Sequence, residues 1–164
     1  MKIIEYEDKY LEDVRNLLVE LEEYIVSIDK DNLDIVHPDY REKMAIRDLK
    51  EVKENNGKCY LALEENKVVG LIMGCIFSYD EYDYLDYKCP LRGKITELIV
   101  SNKVRSKGIG QALMNSLEDY FKNCGCKYVI VDVFAYNDNG IKFYSKSCYH
   151  SRMHTMIKEI KWLN

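Results

Sequence analysis

The sequence predicts a mixed α/β fold with one central sheet and helices packed on its faces. The chain has 164 residues, a length that suits a single domain over residues 1–164. Strand and helix patterns follow each other in the order β, α, α, β, β, β, α, β, α, β, which is typical of a layered domain. The helix patterns show apolar residues at three- and four-residue spacing, whereas the strand patterns are short apolar runs.

The chain begins with a short strand and two helices. Residues 3–6 predict the strand, and Asp8 can cap the first helix. This helix should end near Ser27, and its apolar face consists of Leu11, Val14, Leu17, Leu18, Leu21 and Ile25. The second helix is expected over residues 38–54, because Pro38 suits a first helical turn.

A hairpin and a long loop follow. Residues 59–65 and 67–77 are rich in residues that favour strands, and they are joined by a tight turn around Asn66 and Lys67. Residues 78–93 alternate tyrosine with carboxylates and show no clean periodicity, which predicts a loop.

The second half of the chain predicts two further helices between three strands. Residues 94–100 form a buried strand, and a helix with one apolar face runs from about residue 109 to 123. Residues 127–135 predict the next strand, and Asp138 or Asn139 can start a helix that ends near Ser147. Residues 152–163 predict a closing strand.

Composition excludes several functional classes. A net charge of −4 argues against nucleic-acid partners, which require clustered basic residues. No apolar run approaches the roughly 18 residues of a membrane span, and the N-terminus lacks the pattern of a signal peptide, so we expect a cytoplasmic protein without membrane contact. The six cysteines are expected to be mostly reduced and packed, and no residue cluster has the spacing of a metal site.

The segment VRSKGIGQALM, residues 104–114, predicts an anion site at a helix N-terminus. Gly108 and Gly110 leave the first amide groups of the helix open, and Arg105 and Lys107 add positive charge. The pattern is not a Walker loop, which requires GxxxxGK followed by Ser or Thr. A dinucleotide fingerprint fits poorly because Leu113 occupies the third glycine position, although an acidic residue lies at a suitable distance downstream.

These residues resemble the acetyl-CoA motif of the GNAT N-acetyltransferase superfamily, which has Gln or Arg, two variable residues, Gly, any residue, and Gly or Ala. A second stretch, NDNGIKFYSKSCY at residues 137–149, is similar to another part of the family signature. Cys148 stands where the family has glycine. The resemblance implies a twisted, mostly antiparallel sheet with about four helices and a splayed strand pair that binds acetyl-CoA.

The resemblance also implies site residues. Tyr144 would act as general acid toward the CoA sulfur, and Glu97 is the candidate base because it is the only carboxylate in the motif strand. Acetyl-CoA, the expected acetyl donor, would be held without a metal by the following residues: Leu98, Ile99, Val100, Arg105, Ser106, Lys107, Gly108, Ile109, Gly110, Gln111, Asn137, Gly140, Phe143 and Tyr144.

The acceptor is expected to be a small-molecule amine. In the family the first two helices and the loop before the motif strand shape the acceptor pocket, which implicates Tyr24, Asp80, Asp83 and Tyr84. Carboxylates and aromatic faces attract cations, so a polyamine or an aminoglycoside-like amine would suit them, and a lysine side chain of a protein stays open as an acceptor.

Three functions are compatible with the sequence. The first is N-acetyl transfer; the second is a non-catalytic acyl-CoA-binding or regulatory module, since a fold does not fix function. The third is an interaction protein that binds through its tyrosine-rich loop. A homodimer could complete an open sheet edge near the C-terminus.

Overall fold

A computed structural model describes residues 1–104 and 107–160. Single turns of 3-10 helix occupy Asp8–Tyr10 and Asn102–Val104. The strands are β1 (Lys2–Glu5), β2 (Lys58–Glu64), β3 (Lys67–Phe77), β4 (Arg92–Val100) and β5 (Tyr128–Val131). The helices are α1 (Leu11–Ile28), α2 (Tyr40–Glu54), the short α3 (Asp83–Asp86), α4 (Ile109–Asn123) and α5 (Asp138–Lys146).

The strands form one five-stranded sheet in the order β1-β2-β3-β4-β5. Neighbours pair antiparallel except β4 and β5, which are parallel. Glu65 and Asn66 make the β2–β3 turn with positive φ angles of 50° and 61°, a geometry that matches the twist of a two-residue hairpin. The prediction of a mixed, mostly antiparallel sheet with about four main helices is therefore confirmed.

Helices cover both faces of the sheet and bury two apolar clusters. On one face α1 and α2 pack residues such as Val14, Leu18 and Ala45 against Leu71 and Met73 of β3. On the other face α4 buries Leu113, Leu117 and Phe121 against Ile72 and Ile95. Burial of such side chains is the main stabilising contribution to a domain of this size, and it holds β4 between the two helical layers.

Strand β4 has a bulge in its middle. Met73 of β3 pairs with Glu97 while Gly74 pairs with Ile95, so Thr96 is an extra residue on β4. A bulge inverts the side-chain alternation that follows it. Ile95 accordingly faces α4, whereas Ile99 faces α1 and α2.

Strands β4 and β5 separate at the bulge. Their pairing runs from Arg92 with Tyr128 to Ile95 with Val131, and β4 then continues to Val100 with β3 as its pairing partner. The predicted strand at residues 127–135 is thus shorter than expected, because its second half leaves the sheet. The divergence opens a gap between the two strands.

The predicted closing strand at residues 152–163 is wrong over residues 152–160, which form no strand and lie exposed. Its apolar residues, Met153, Met156, Ile157 and Ile160, recur at three- and four-residue spacing. Neither face of a strand would therefore be uniformly apolar, and the segment gains little by joining the sheet. Residues 161–164 lie outside the described part of the chain, and the homodimer stays a prediction.

Two further findings concern membranes and metals. Among the described residues, no helix is both long enough and apolar enough to cross a bilayer. Within the same residues, no group of three or more His, Cys, Asp or Glu side chains is arranged to hold a metal ion. All six cysteines are free thiols; Cys59 and Cys75 are buried, and Cys124 and Cys148 are exposed.

Candidate active site

The gap between β4 and β5 is part of a cleft of about 270 Å³, which we call the central cleft. Helices α1 and α2 form one side, and the segment after β5 together with α5 forms the other. Its lining residues are Leu21, Glu22, Ile25, Tyr40, Met44, Ile95, Thr96, Glu97, Leu98, Val131, Asp132, Val133, Phe134, Asn137 and Tyr144. Glu97 and Tyr144, the two predicted catalytic residues, therefore share one cavity.

The bulge at Thr96 directs Glu97 into this cavity. Glu97 pairs with Met73, which faces α1 and α2, and a regular strand would instead have placed Glu97 beneath α4 with Ile95. Burial, reinforced by the nearby carboxylate of Asp48, raises the pKa of Glu97 to about 8. A carboxyl group with such a pKa can exchange a proton near neutral pH.

Tyr144 lies across the cleft on α5. Its ring packs edge-on against Phe143 and Tyr149, with centroid separations of 5.4 and 5.6 Å. Burial, with a smaller contribution from the negative charge of Glu97, raises the pKa of the Tyr144 hydroxyl to about 12. Tyr144 is therefore protonated at neutral pH and is equipped to donate a proton.

The N-terminus of α5 is fixed by a side-chain cap. Asn137 accepts a hydrogen bond from the Gly140 amide at 2.8 Å and another from the Tyr24 hydroxyl at 3.2 Å. A Cβ on residue 140 would lie 2.6 Å from the Asn137 side-chain nitrogen, so a larger residue there would require the Asn137 side chain to shift. Tyr24 connects α1 to the start of α5 through its bond to Asn137, and its contact with the acceptor stays a prediction.

The C-terminus of α5 keeps a left-handed turn. Cys148 has a φ of 67°, and the Tyr149 amide bonds back to the Tyr144 carbonyl at 3.0 Å. This is the conformation that glycine adopts most easily at the end of a helix. Replacement of the family's glycine by cysteine has therefore preserved the turn.

The predicted anion site lies at the N-terminus of α4. Gly108 precedes the helix with a φ of 77°, and a Cβ built there would meet no atom within 4 Å. The space in front of Gly108 is open, and the first amides of α4 have no acceptor within the helix. Gly110 faces α5, and a Cβ built on it would lie 3.4 Å from the Phe143 ring, an ordinary van der Waals contact.

The remaining predicted CoA residues are distributed around this helix start. Ile109 and Ile99 are buried, while Leu98 and Val100 pack at the margin of the α4 cluster. Lys107 contacts Glu64 at 3.1 Å. Arg105 and Ser106 lie outside the described residues.

Gln111 connects α4 to the end of α5. Its side chain accepts a hydrogen bond from the Ser147 hydroxyl at 3.0 Å and donates one to Asn115 at 2.8 Å. These contacts hold the two helices that flank the predicted CoA site.

The acidic residues of the loop do not line the central cleft. Asp80 accepts hydrogen bonds from the amides of Tyr82 and Asp83, and Asp83 accepts one from the Asp80 amide at 2.8 Å. Tyr84 is exposed. The structure thus places Asp80, Asp83 and Tyr84 in a self-bonded surface turn.

Sequence reasoning missed a second cleft, which we call the α2 cleft, on the other side of Glu97. It has a volume of about 200 Å³ and is lined by Arg47, Asp48, Glu51, Lys94, Ile95, Thr96, Glu97 and Asp132. The signal was present in α2, where Ala45, Asp48 and Val52 are the buried residues. A carboxylate at a core position of a helix pattern is unusual and indicates a site.

Comparison with known proteins gives a consistent result. A family model described as "Acetyltransferase (GNAT) family" matches residues 13–148. An uncharacterized N-acetyltransferase of Methanocaldococcus jannaschii is 32% identical over 94 residues, which are 57% of this chain and 53% of that protein. The match therefore spans about half the length of this relative.

Solved structures share the fold. A mutant of the BH1408 protein of Bacillus halodurans superposes with a TM-score of 0.80 at 19% identity, over 98% of this chain and 100% of that one. The aminoglycoside N-acetyltransferase AAC(6')-Iy in complex with CoA gives a TM-score of 0.69 at 13% identity, with coverage of 98% and 100%. At these identities the likeness concerns the fold alone.

Proposed function

The chain belongs to the GNAT family of acetyltransferases, and from this premise we propose that it transfers an acetyl group from acetyl-CoA to a primary amine of a small cationic acceptor. The amine attacks the thioester directly while both substrates are bound. The observation that carries the proposal is the bulge in β4, which turns Glu97 into the same cleft as Tyr144.

The N-terminus of α4 fits the pyrophosphate of CoA. An anion is favoured there because the first amides lack helical acceptors and the helix dipole is positive at this end. The open space at Gly108 lets a phosphate approach the backbone closely. Lys107, and Arg105 outside the described residues, would add positive charge.

The divergent part of β4 suits the pantetheine arm and the acyl group. After Ile95 no strand among the described residues pairs with β4 on the side of β5. Backbone groups of Leu98 and Ile99 would therefore hold the arm and orient the thioester carbonyl, and an amide directed at that oxygen would stabilise the developing negative charge.

Proton transfers complete the reaction. Bound acetyl-CoA supplies the acetyl group as a thioester. Glu97 accepts a proton from the acceptor ammonium, directly or through water, so that the nitrogen lone pair can form the new C–N bond. Tyr144 donates a proton to the sulfur as the C–S bond breaks. The acylated nitrogen releases its second proton, which restores the Tyr144 hydroxyl, and the products are an amide and CoA.

The proposal is tested first by acetyl-CoA binding in two matched variants. Gly108 and Gly125 both have positive φ angles, 77° and 83°, and a Cβ at either position meets no atom within 4 Å. Alanine at either position carries a similar backbone cost of about 1 kcal/mol. Calorimetry should show at least tenfold weaker binding for Gly108→Ala and unchanged binding for Gly125→Ala.

Turnover separates catalysis from binding. Tyr144→Phe should lower the rate of acetyl transfer at least tenfold, whereas Tyr128→Phe, an exposed residue on β5, should have no effect. A wild-type protein that binds acetyl-CoA tightly but acetylates no amine would favour a non-catalytic acyl-CoA-binding module. A wild-type protein that binds no acetyl-CoA would contradict both functions.

A further inference from the structure

The α2 cleft adjoins the central cleft at Glu97. The two cavities share Ile95, Thr96, Glu97 and Asp132, so Glu97 lies on the wall of both. A molecule whose reactive group lies beside Glu97 can therefore extend into the α2 cleft.

The α2 cleft contains more negative than positive groups. Its two cations are already paired: Arg47 lies 2.7 Å from Asp48, and Lys94 lies 2.9 Å from Asp132. No ion pair among the described residues neutralises Glu51, and Glu97, the other carboxylate of the lining, adds a further negative charge when it loses its proton. The cleft thus has unmatched negative charge, which attracts a cation.

Asp48 is the most unusual member of this lining. It is only 4% exposed, and both contacts from Arg47 fall on the same oxygen, Oδ1. The other oxygen, Oδ2, is buried and accepts no hydrogen bond from any described residue; the same holds for Thr96 Oγ1 on the facing strand. Buried acceptors without donors cost free energy, and such groups in native proteins frequently mark sites of function.

A group that satisfied this cleft would carry positive charge and several N–H donors. An alkylammonium has both, because it carries a positive charge and three N–H donors. A metal ion is a poorer match, since the described residues contain no cluster of three or more candidate ligands.

We propose that the α2 cleft binds the second ammonium group of the acceptor, which makes the acceptor a diamine or a longer polyamine. The proposal rests on the proposed acetyl transfer at Glu97. The distal ammonium donates to Asp48 Oδ2 and Thr96 Oγ1, while the reactive amine lies beside Glu97 in the central cleft. Asp48 is then a determinant of acceptor specificity.

The test compares diamines with monoamines of equal length. The rates are measured for diaminopropane, diaminobutane and diaminopentane with terminal amines, each against the corresponding linear monoamine. A charge-assisted hydrogen bond contributes about 1.5–3 kcal/mol, so the best diamine should have a kcat/KM about 10- to 100-fold above that of its monoamine.

Substitutions in α2 test whether the α2 cleft causes this preference for diamines. Asp48→Asn should reduce the ratio of the two kcat/KM values to near one, and the ratio cancels any effect on the chemical step that both acceptors share. Glu51→Gln alters an exposed carboxylate of the same cleft and should reduce the ratio about threefold, which keeps the test usable if Asp48→Asn does not fold. Glu54→Gln, on the same helix outside the cleft, should leave the ratio unchanged.

The outcomes are distinguishable. If the wild type acetylates both kinds of amine equally well, or if Asp48→Asn and Glu51→Gln keep the wild-type preference, the second-ammonium site is overturned while the acetyltransferase stands. If the wild type binds acetyl-CoA but acetylates no amine, the proposed function fails, and this inference fails with it.

Discussion

Two acidic regions of this protein have similar compositions and opposite environments. In the surface turn Asp80 is exposed and Asp83 is half-buried, and backbone amides of the same turn satisfy them. In the groove between α2 and β4, Asp48 is buried and Glu97 is half-buried, and the two lie close enough for Asp48 to raise the pKa of Glu97. The first pair organises a loop, whereas the second pair has unused capacity to bind and to exchange protons.

The difference between these regions follows from what each carboxylate contacts. A carboxylate in water keeps ordinary acidity and makes weak contacts with partners, because solvent screens its charge. A carboxylate held in a cleft loses hydration and must gain a proton, a cation or hydrogen bonds. Local acidity in a sequence therefore does not locate an active site, and burial of the acid does.

The largest effect that separates the two regions concerns catalysis. Glu97→Gln removes the proposed base and should lower kcat/KM about 10²- to 10³-fold at a pH above 8, a range typical of lost general-base catalysis. Asp83→Asn, the matched change in the surface turn, should leave kcat/KM within about twofold. Equal losses in both variants, measured in steady-state assays with the best amine found, would contradict the comparison.

A second effect concerns stability. The folded protein holds the Glu97 proton with a pKa of about 8, against an ordinary value of 4.5. The favourable contribution of Glu97 is thus complete below about pH 4.5 and is lost as the pH rises through 8. Glu97→Gln has no such proton to lose.

As the pH rises from about 5 to 9, the free energy of unfolding of the wild type should therefore fall by on the order of 3 kcal/mol more than that of Glu97→Gln. Urea denaturation at both pH values measures this difference. Asp83→Asn provides the control for loss of a carboxylate. If the free energies of unfolding of Glu97→Gln and wild type differed by the same amount at both pH values, the fold would not raise the pKa of Glu97.

Sequence patterns were sufficient to predict the elements whose structure depends mainly on residues close together in the chain. The apolar spacing of α1 and α4 predicts both helices closely, since one apolar stripe must face the sheet. The start of α5 was predicted at Asp138 or Asn139, and the structure assigns the capping side chain to Asn137 instead. The Gly108–Gly110 motif predicts where α4 begins.

The features that create the site depend on contacts distant in sequence. The bulge at Thr96 exists only in relation to Met73 and Gly74 of β3, so residues 94–100 by themselves do not reveal which way Glu97 points. The loop at residues 78–93 was predicted to contact the acceptor from the family resemblance and from its carboxylates and tyrosines, and the structure keeps Asp80 and Asp83 out of the central cleft. Asp48 was detectable as an acid on the buried stripe of α2, although only the fold places it beside Glu97.

A third effect tests whether the charge of Asp48 raises the pKa of Glu97. Glu97 must be deprotonated to act as base, so kcat/KM of the wild type should rise with pH through about 8. Asp48→Asn removes one of the negative charges that, after burial, raise the pKa of Glu97, and the rising limb should move to lower pH. Glu54→Gln should leave the pH of this rise unchanged. If Asp48→Asn also left it unchanged, the charge of Asp48 would not contribute to the raised pKa of Glu97.

The smallest effect is expected in the surface turn. Asp80→Ala removes the acceptor for the amides of Tyr82 and Asp83, but both amides are near solvent and water can replace the lost contacts. We expect the Tm to fall by about 3 °C or less and acetyl transfer to be unchanged. Thermal unfolding and the amine assay check both statements. A large loss of activity at unchanged Tm would mean that the turn contacts the acceptor after all, and the contrast between exposed and buried acids would no longer locate the site.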